Sequence, residues 1–261
     1  MKIGIQLYSC PDKVEDEAAM ERTLAALAEM GYDGVEFFTY GAYGMMDPRR
    51  LRARLAECGL EGINVHLHIP LEQWFGDMRG VLDYAKEVGL PAVTLPYLHE
   101  ERRSPELFAR ILGEIPRWIA QCGEYGLEFC YHNHDFEFRP YGKGTLLEAV
   151  AGASPEMKIE LDTFWARFAG HDPCRVMEEL GGKLRLVHIK DYRELAPFYE
   201  MKFTAIGTGV MDNAAVADKA AAMGQEWLIV EQDNSPIDTL ESARLSIEGV
   251  HRLLEKGVRH D

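Results

Sequence analysis

Eight short apolar runs, each followed by a stretch with helical spacing, recur along this chain at roughly thirty-residue intervals, and that rhythm limits its folds more than any other feature. Strand patterns fall at 3–7, Asp33 to Phe38, Ile63 to Ile69 and Ala92 to Leu95, then near 127–133, 157–162, 185–190 and 227–231. Between them, Ala, Leu and Met recur at helical spacing over 16–30 until Gly31, and Pro48 opens a second helix ending at Gly59. A third helix runs to Gly89, and a long amphipathic one over 104–125 carries Pro116, which predicts a kink. Further helices are expected near 144–152, 172–181, 212–223 and 238–256. No Gly/Ser/Pro linker divides the chain, so its 261 residues read as one α/β domain over 1–261, a (β/α)8 TIM barrel. A doubly wound sheet is the alternative. It fits less well, because it expects fewer strands and a Gly-rich turn after the first, whereas Gln6-Leu7-Tyr8-Ser9-Cys10-Pro11 has no glycine.

Charge and cysteine usage narrow the function. A formal net charge of −15 argues against nucleic acid, whose binders concentrate Lys and Arg to displace counterions. No apolar run approaches membrane-spanning length, and Met1-Lys2-Ile3 enters a strand without a signal-peptide pattern, so a cytoplasmic protein with no membrane partner is expected. The five cysteines (Cys10, Cys58, Cys122, Cys130 and Cys174) are scattered, odd in number and free of Cys-x-x-Cys spacing, which reads as reduced thiols.

The last four strand patterns end in ligand-type side chains. Leu127 to Tyr131 runs into His132-Asn133-His134-Asp135-Phe136-Glu137, where His132 and His134 share a strand face. Ile159-Glu160-Leu161-Asp162, Leu186-Val187-His188-Ile189-Lys190-Asp191 and Leu228-Ile229-Val230-Glu231-Gln232-Asp233 behave alike. In a barrel these ends gather at one mouth, together with Glu36, His66 and His68. Glu36 also reads as a solvated residue beginning a loop, and one of His66 and His68 as a hydrogen-bonded core histidine. Asp162 and Glu231 are harder to place otherwise, because a carboxylate beside an apolar run is unfavourable without a cation or donors to meet it.

The chain resembles the sugar phosphate isomerase/epimerase family, with its xylose-isomerase-like barrel, over essentially its whole length. The resemblance is carried by Ile-Gly-Ile-Gln-Leu-Tyr-Ser at 3–9, Gly31-Tyr32-Asp33-Gly34-Val35-Glu36, Leu161-Asp162-Thr163-Phe164-Trp165, His188-Ile189-Lys190-Asp191, Ile206-Gly207-Thr208-Gly209-Val210-Met211-Asp212 and Ile229-Val230-Glu231. It implies one divalent cation held by four side chains from strands five to eight, commonly Glu, Asp, His and Glu. The last three correspond to Asp162, His188 and Glu231, while His132 stands where many relatives carry the first Glu, with His134 as its rival. Mixed imidazole and carboxylate ligation suits Mn²⁺ best, with Co²⁺, Zn²⁺ or Mg²⁺ as alternatives.

The implied activity is isomerisation or epimerisation of a sugar or keto-sugar derivative, by proton abstraction next to a metal-bound carbonyl. Glu231 would be both ligand and proton carrier; with the strand-five glutamate replaced, His134 or Glu160 becomes the second candidate, and Glu137 a further one. Lys190 is placed to hold a substrate oxygen, with Glu36, His66 and His68 as further substrate contacts and Trp165, Phe164 and Trp74 as an apolar floor for sugar C–H faces. Tyr-His-x-His also resembles the branch containing inosose dehydratases and enzymes of 3-keto-glycosides, which keeps a metal-dependent lyase as the alternative. A related barrel family cuts abasic DNA with three zinc ions, but that needs more ligands than these strand ends offer and a less acidic surface. The resemblance further implies a homo-oligomer, a dimer. Gly207-Thr208-Gly209 reads first as a tight turn and second as a close approach to a phosphate or hydroxyl, so the sequence does not establish that the substrate is phosphorylated.

Overall fold

In the computed structural model, which describes residues 1–40, 46–194, 196–197 and 200–257, the eight apolar runs form eight parallel strands. These are β1 (Lys2–Gln6), β2 (Gly34–Tyr40), β3 (Glu61–His68), β4 (Ala92–Leu95), β5 (Glu128–His132), β6 (Lys158–Asp162), β7 (Leu184–Ile189) and β8 (Trp227–Val230). Neighbours in sequence are neighbours in space, and β1 pairs with β8, so the sheet closes into a barrel without a free edge. The expected (β/α)8 architecture is therefore the fold.

Around it run α1 (Glu17–Met30), α2 (Pro48–Cys58), α3 (Arg79–Val88), α4 (Pro105–Glu124), α5 (Leu146–Gly152), α6 (Pro173–Leu180), α7 (Asn213–Ala222) and α8 (Thr239–Gly257). Their starts follow local chemistry. Asp16 accepts the Ala19 N–H at 2.7 Å to begin α1, and Thr145 and Glu148 form a reciprocal cap at the start of α5. Proline occupies the first turn of α2, α4 and α6, where its missing N–H is harmless. Pro116 lies inside α4, yet the helix runs unbroken across it. Between β3 and α3 the single expected helix is split. A turn at Leu71–Phe75 ends at Gly76, and α3 begins three residues later. Two small antiparallel ribbons, Pro140–Tyr141 with Gly144–Thr145 and Asp191–Tyr192 with Phe203–Thr204, and a short helix at Thr163–Phe168 decorate the mouth without having been expected.

The core of the barrel wall and that of its lumen are distinct. Outward strand residues such as Val35, Val65, Val93 and Phe129 are buried against the helices, while Ile63, Leu186, Trp227 and Ile229 form a separate apolar cluster. Gly34 makes room for the second cluster: a Cβ there would lie 2.8 Å from Trp227 Cη2 and 2.7 Å from Glu61 O. Toward the mouth, Gln6, Glu36, Asn64, His66, Thr94, His132, Glu160, Asp162 and His188 are polar and buried, which for a strand interior needs a functional explanation. Among the described residues no helix is long and apolar enough to cross a membrane.

Candidate metal centre in the barrel mouth

Pairing register brings the polar inward residues side by side. Gln6 is level with Glu36, His66 with Thr94, His132 with Glu160, and Asp162 with His188. A bulge between Val35 and Glu36 shifts the register so that Glu36 pairs with Asn64. Because side chains two apart share a face, Asn64 and His66, Glu160 and Asp162, and His188 and Lys190 each stack along the barrel axis.

The lower layer is a closed acid–imidazole floor. Glu36 accepts from Gln6 Nε2 and Asn64 Nδ2, each at 2.8 Å, and Asn64 Nδ2 also reaches Glu160 Oε1 at 3.1 Å. Glu160 Oε2 lies 2.5 Å from His66 Nε2 and 3.1 Å from His132 Nδ1, and His66 Nε2 is 3.4 Å from Glu36 Oε2. Burial and the neighbouring Glu160 push the Glu36 carboxyl up to about 7. Burial opposes ionisation of Glu160 as well, but His66 and His188 prevail and hold it well below the usual carboxylate range. Burial likewise disfavours a charged His66, yet Glu36 and Glu160 hold its imidazole above the ordinary value.

The upper layer carries the four predicted ligands. Donor atoms of His132, Asp162, His188 and Glu231 all lie within 4.8 Å of one another, and all four residues are buried. His188 Nδ1 is 2.8 Å from Glu231 Oε2, and His132 Nε2 is 3.8 Å from Asp162 Oδ2. Asp162 spends Oδ1 on capping the Thr163–Phe168 helix, accepting the Trp165 N–H at 3.0 Å, while its buried Oδ2 accepts no hydrogen bond. His188 Nε2, 2.7 Å from Glu36 Oε2, also lacks a partner in hydrogen-bond geometry. Buried imidazole nitrogens and carboxylate oxygens converging at these distances, with Asp162 Oδ2 and His188 Nε2 held by charge contacts rather than hydrogen bonds, fit a divalent cation. A second group, His66, His132, Glu160 and His188, meets the same distance criterion and shares His132 and His188 with the first.

The other predicted residues distribute around this centre. Lys190 Nζ reaches Asp233 Oδ1 at 2.6 Å, Glu231 Oε2 at 3.1 Å and Asp162 Oδ2 at 3.2 Å, and it stands 5.5 Å from the Trp165 ring centroid. Burial works against its charge, but the three acids keep the ammonium well above its usual value. Burial also works against an ionised Glu231, which Lys190 and His188 nonetheless hold well below its usual value. His134 stands over the mouth in an aromatic surround, its ring 4.7 Å from Tyr97 and 5.2 Å from Trp165, with a buried Nδ1 that has no hydrogen-bond partner. Burial pushes that imidazole well below the usual value, which keeps it neutral. His68 lies above His66, ring centroids 6.3 Å apart, and is lowered to about 3 by burial. Trp165 packs with Phe164, Tyr192, Met201 and Phe203 beside Lys190.

Some expectations are redirected. Trp74 packs on Trp118 and Phe129 in the helical layer and is no part of the mouth. Glu137 turns away from the cluster, bonded to the Tyr131 hydroxyl at 2.8 Å and accepting the His134 N–H at 2.7 Å. The Gly207 and Gly209 N–H groups point at Asp191 Oδ2, at 2.9 and 3.0 Å, so this turn is closed by the protein's own carboxylate rather than open to a phosphate. Gln6, Asn64 and Thr94 were not foreseen; their only signal is a shared inward parity with Glu36 and His66.

Comparison with known proteins agrees with this geometry at the level of fold. A sugar phosphate isomerase/epimerase from Parabacteroides distasonis superposes with a TM-score of 0.77 at 24% identity, covering 99% of this chain and 96% of that one. An L-ribulose 3-epimerase gives 0.76 at 19% over 99% and 96%. A D-allulose 3-epimerase from Methylomonas sp. gives 0.75 at 16% over 97% and 98%. No curated protein sequence matches. Residues 24–255 match the xylose isomerase-like TIM barrel family, and with most of its length inside that match the chain belongs to it.

Proposed function

We propose that this protein is a divalent-metal-dependent isomerase or epimerase of a sugar or keto-sugar derivative, with Mn²⁺ as the preferred ion. The observation that carries the reading is the convergence of His132, Asp162, His188 and Glu231 from four consecutive strand ends, with donor atoms within 4.8 Å. A divalent cation held there would polarise a substrate carbonyl and its neighbouring hydroxyl, stabilising the negative charge that develops when the adjacent carbon loses its proton. Glu231 is ionised beside Lys190 and serves as the base for that proton. Lys190 offers an ammonium to a substrate oxygen, and Trp165 gives the sugar's C–H face an apolar wall. The epimerases among the structural neighbours support the substrate class, since they act on ketoses on the same scaffold.

A metal-dependent lyase acting on a keto-cyclitol or 3-keto-glycoside is the second reading, favoured by the neutral His134 over the mouth, whose buried Nδ1 has no hydrogen-bond partner. The deciding experiment incubates the Mn²⁺-loaded protein with a panel of keto- and aldo-sugars in D₂O and follows them by NMR. Deuterium at one carbon without loss of water supports the isomerase. An enone product transfers the assignment to the lyase, and no exchange with any sugar of the panel removes the isomerase reading.

A further inference from the structure

We infer that Lys190 is an internal counter-ion that occupies the carboxylates of Asp162 and Glu231 until a divalent cation displaces it onto Asp233. The inference rests on the metal-centre reading above and adds to it a residue that governs loading. Two of the four candidate ligands are already engaged by an ammonium, at 3.2 Å from Asp162 Oδ2 and 3.1 Å from Glu231 Oε2. A divalent cation on the same oxygens would repel that ammonium at close range, in a lumen with little water to screen them. The cation carries twice the charge and bonds oxygen at about 2.1 Å, against about 2.8 Å for an ammonium, so the lysine yields.

The surroundings provide somewhere for it to go. Asp233 Oδ1 is already 2.6 Å from Nζ and does not belong to either candidate ligand group. The rings of Trp165 and Phe203 stand 5.5 and 5.7 Å from Nζ and favour a cation on that side of the mouth. The backbone cannot follow: Lys190 O accepts from Asn213 Nδ2 at 3.1 Å, and the next residue, Asp191, is fixed by the N–H groups of Tyr192, Gly207, Gly209 and Met211. Movement is therefore confined to the side chain. One consequence is that Lys190 is released to meet a substrate oxygen only once metal is bound, so metal occupancy and substrate binding are coupled.

The test titrates the chelator-stripped full chain with MnCl₂ by calorimetry, as wild type, K190M and D233N, alongside crystals grown with and without Mn²⁺. Loss of the competing charge in K190M should tighten Mn²⁺ binding about tenfold or more, while the metal-free variant melts below wild type. D233N, which removes the lysine's refuge, should bind more weakly than wild type. The Mn²⁺-loaded wild-type crystal should place Nζ on Asp233, out of hydrogen-bond reach of Asp162 and Glu231. K190Q replaces K190M if the latter melts without cooperativity. Unchanged or weaker Mn²⁺ binding in a folded charge-removing variant, or Nζ still on Asp162 and Glu231 beside bound Mn²⁺, overturns the displacement while leaving the metal centre standing. A wild type that binds no Mn²⁺ overturns both.

Discussion

Glu231 combines the two demands of the proposed chemistry, since it is grouped with the other candidate ligands and its carboxylate is kept ionised by Lys190 and His188 against the pull of burial. Glu231→Gln keeps an oxygen ligand and removes the base. It should retain Mn²⁺ by calorimetry while deuterium exchange into substrate falls by on the order of 10²–10⁴. Near wild-type exchange with metal bound would move the base to His134 or Glu160. Asp162, His188 and Glu231 were legible in the sequence because each ends an apolar strand run on a group that is unfavourable to bury alone. The floor was not. Gln6, Asn64 and Thr94 each interrupt an apolar run singly, and the bulge at Val35/Glu36 changes which neighbours they face. Glu160 was legible as inward-facing, but its engagement by Asn64, His66 and His132 depends on two other strands, β3 and β5. Glu137 gives a pH prediction away from the centre. Burial pushes its carboxyl from 4.5 up to about 8, so folding takes up a proton between those values, and the stability present at low pH falls as pH rises through that window and levels off above it. Glu137→Gln mimics the protonated acid, still able to donate to the Tyr131 oxygen and accept from the His134 N–H. From pH 5 to 8 the wild type should lose up to a few kcal/mol more than the variant in denaturant titrations. Parallel stability curves would mean that Glu137 does not change protonation on folding.

The connection after β7 carries its own structural logic. Asp191 accepts four backbone N–H groups, from Tyr192 and Met211 on Oδ1 and from Gly207 and Gly209 on Oδ2, and thereby folds the following segment over the mouth. Gly209 is required by contact rather than by turn type: a Cβ there would sit 2.2 Å from Asp191 Oδ1 and 2.3 Å from Tyr192 O. Gly209→Ala should lower the denaturant midpoint by an amount equivalent to about 1–3 kcal/mol, the usual range for overpacking. An unchanged midpoint would mean that the segment shifts freely. The eight strands and the helices behind them were legible because their periodicities, caps and stopping glycines agree. The ribbons and the Thr163–Phe168 helix were hidden for a specific reason. Asp162 serves at once as strand end, helix cap and candidate ligand, so its local signal was absorbed by its chemistry. The ribbon at Asp191–Tyr192 is likewise two residues long on each side, too short for alternation to register.

At the scale of the whole molecule, the lumen is unbalanced in charge. Glu36, Glu160, Asp162, Glu231 and Asp233 gather there against the single ammonium of Lys190 among the described residues, with His66, His132 and His188 between them. A divalent cation relieves that imbalance in the folded state and finds no preformed site in the unfolded chain, so binding is linked to stability. At a free Mn²⁺ concentration about a hundredfold above Kd the gain is about 2.7 kcal/mol. For a domain of this size that corresponds to a rise of about 5–10 °C in Tm, reversed by a chelator. A net charge of −15 also attracts divalent ions without any site. Asp162→Ala separates the two contributions: it removes one surface-independent ligand and leaves the external charge almost unchanged. If the centre binds as proposed, the Mn²⁺-dependent rise should largely disappear in that variant and persist in wild type when added salt screens the surface. An equal rise in both proteins, lost in salt, would assign the stabilisation to exposed carboxylates and leave the lumen without a metal.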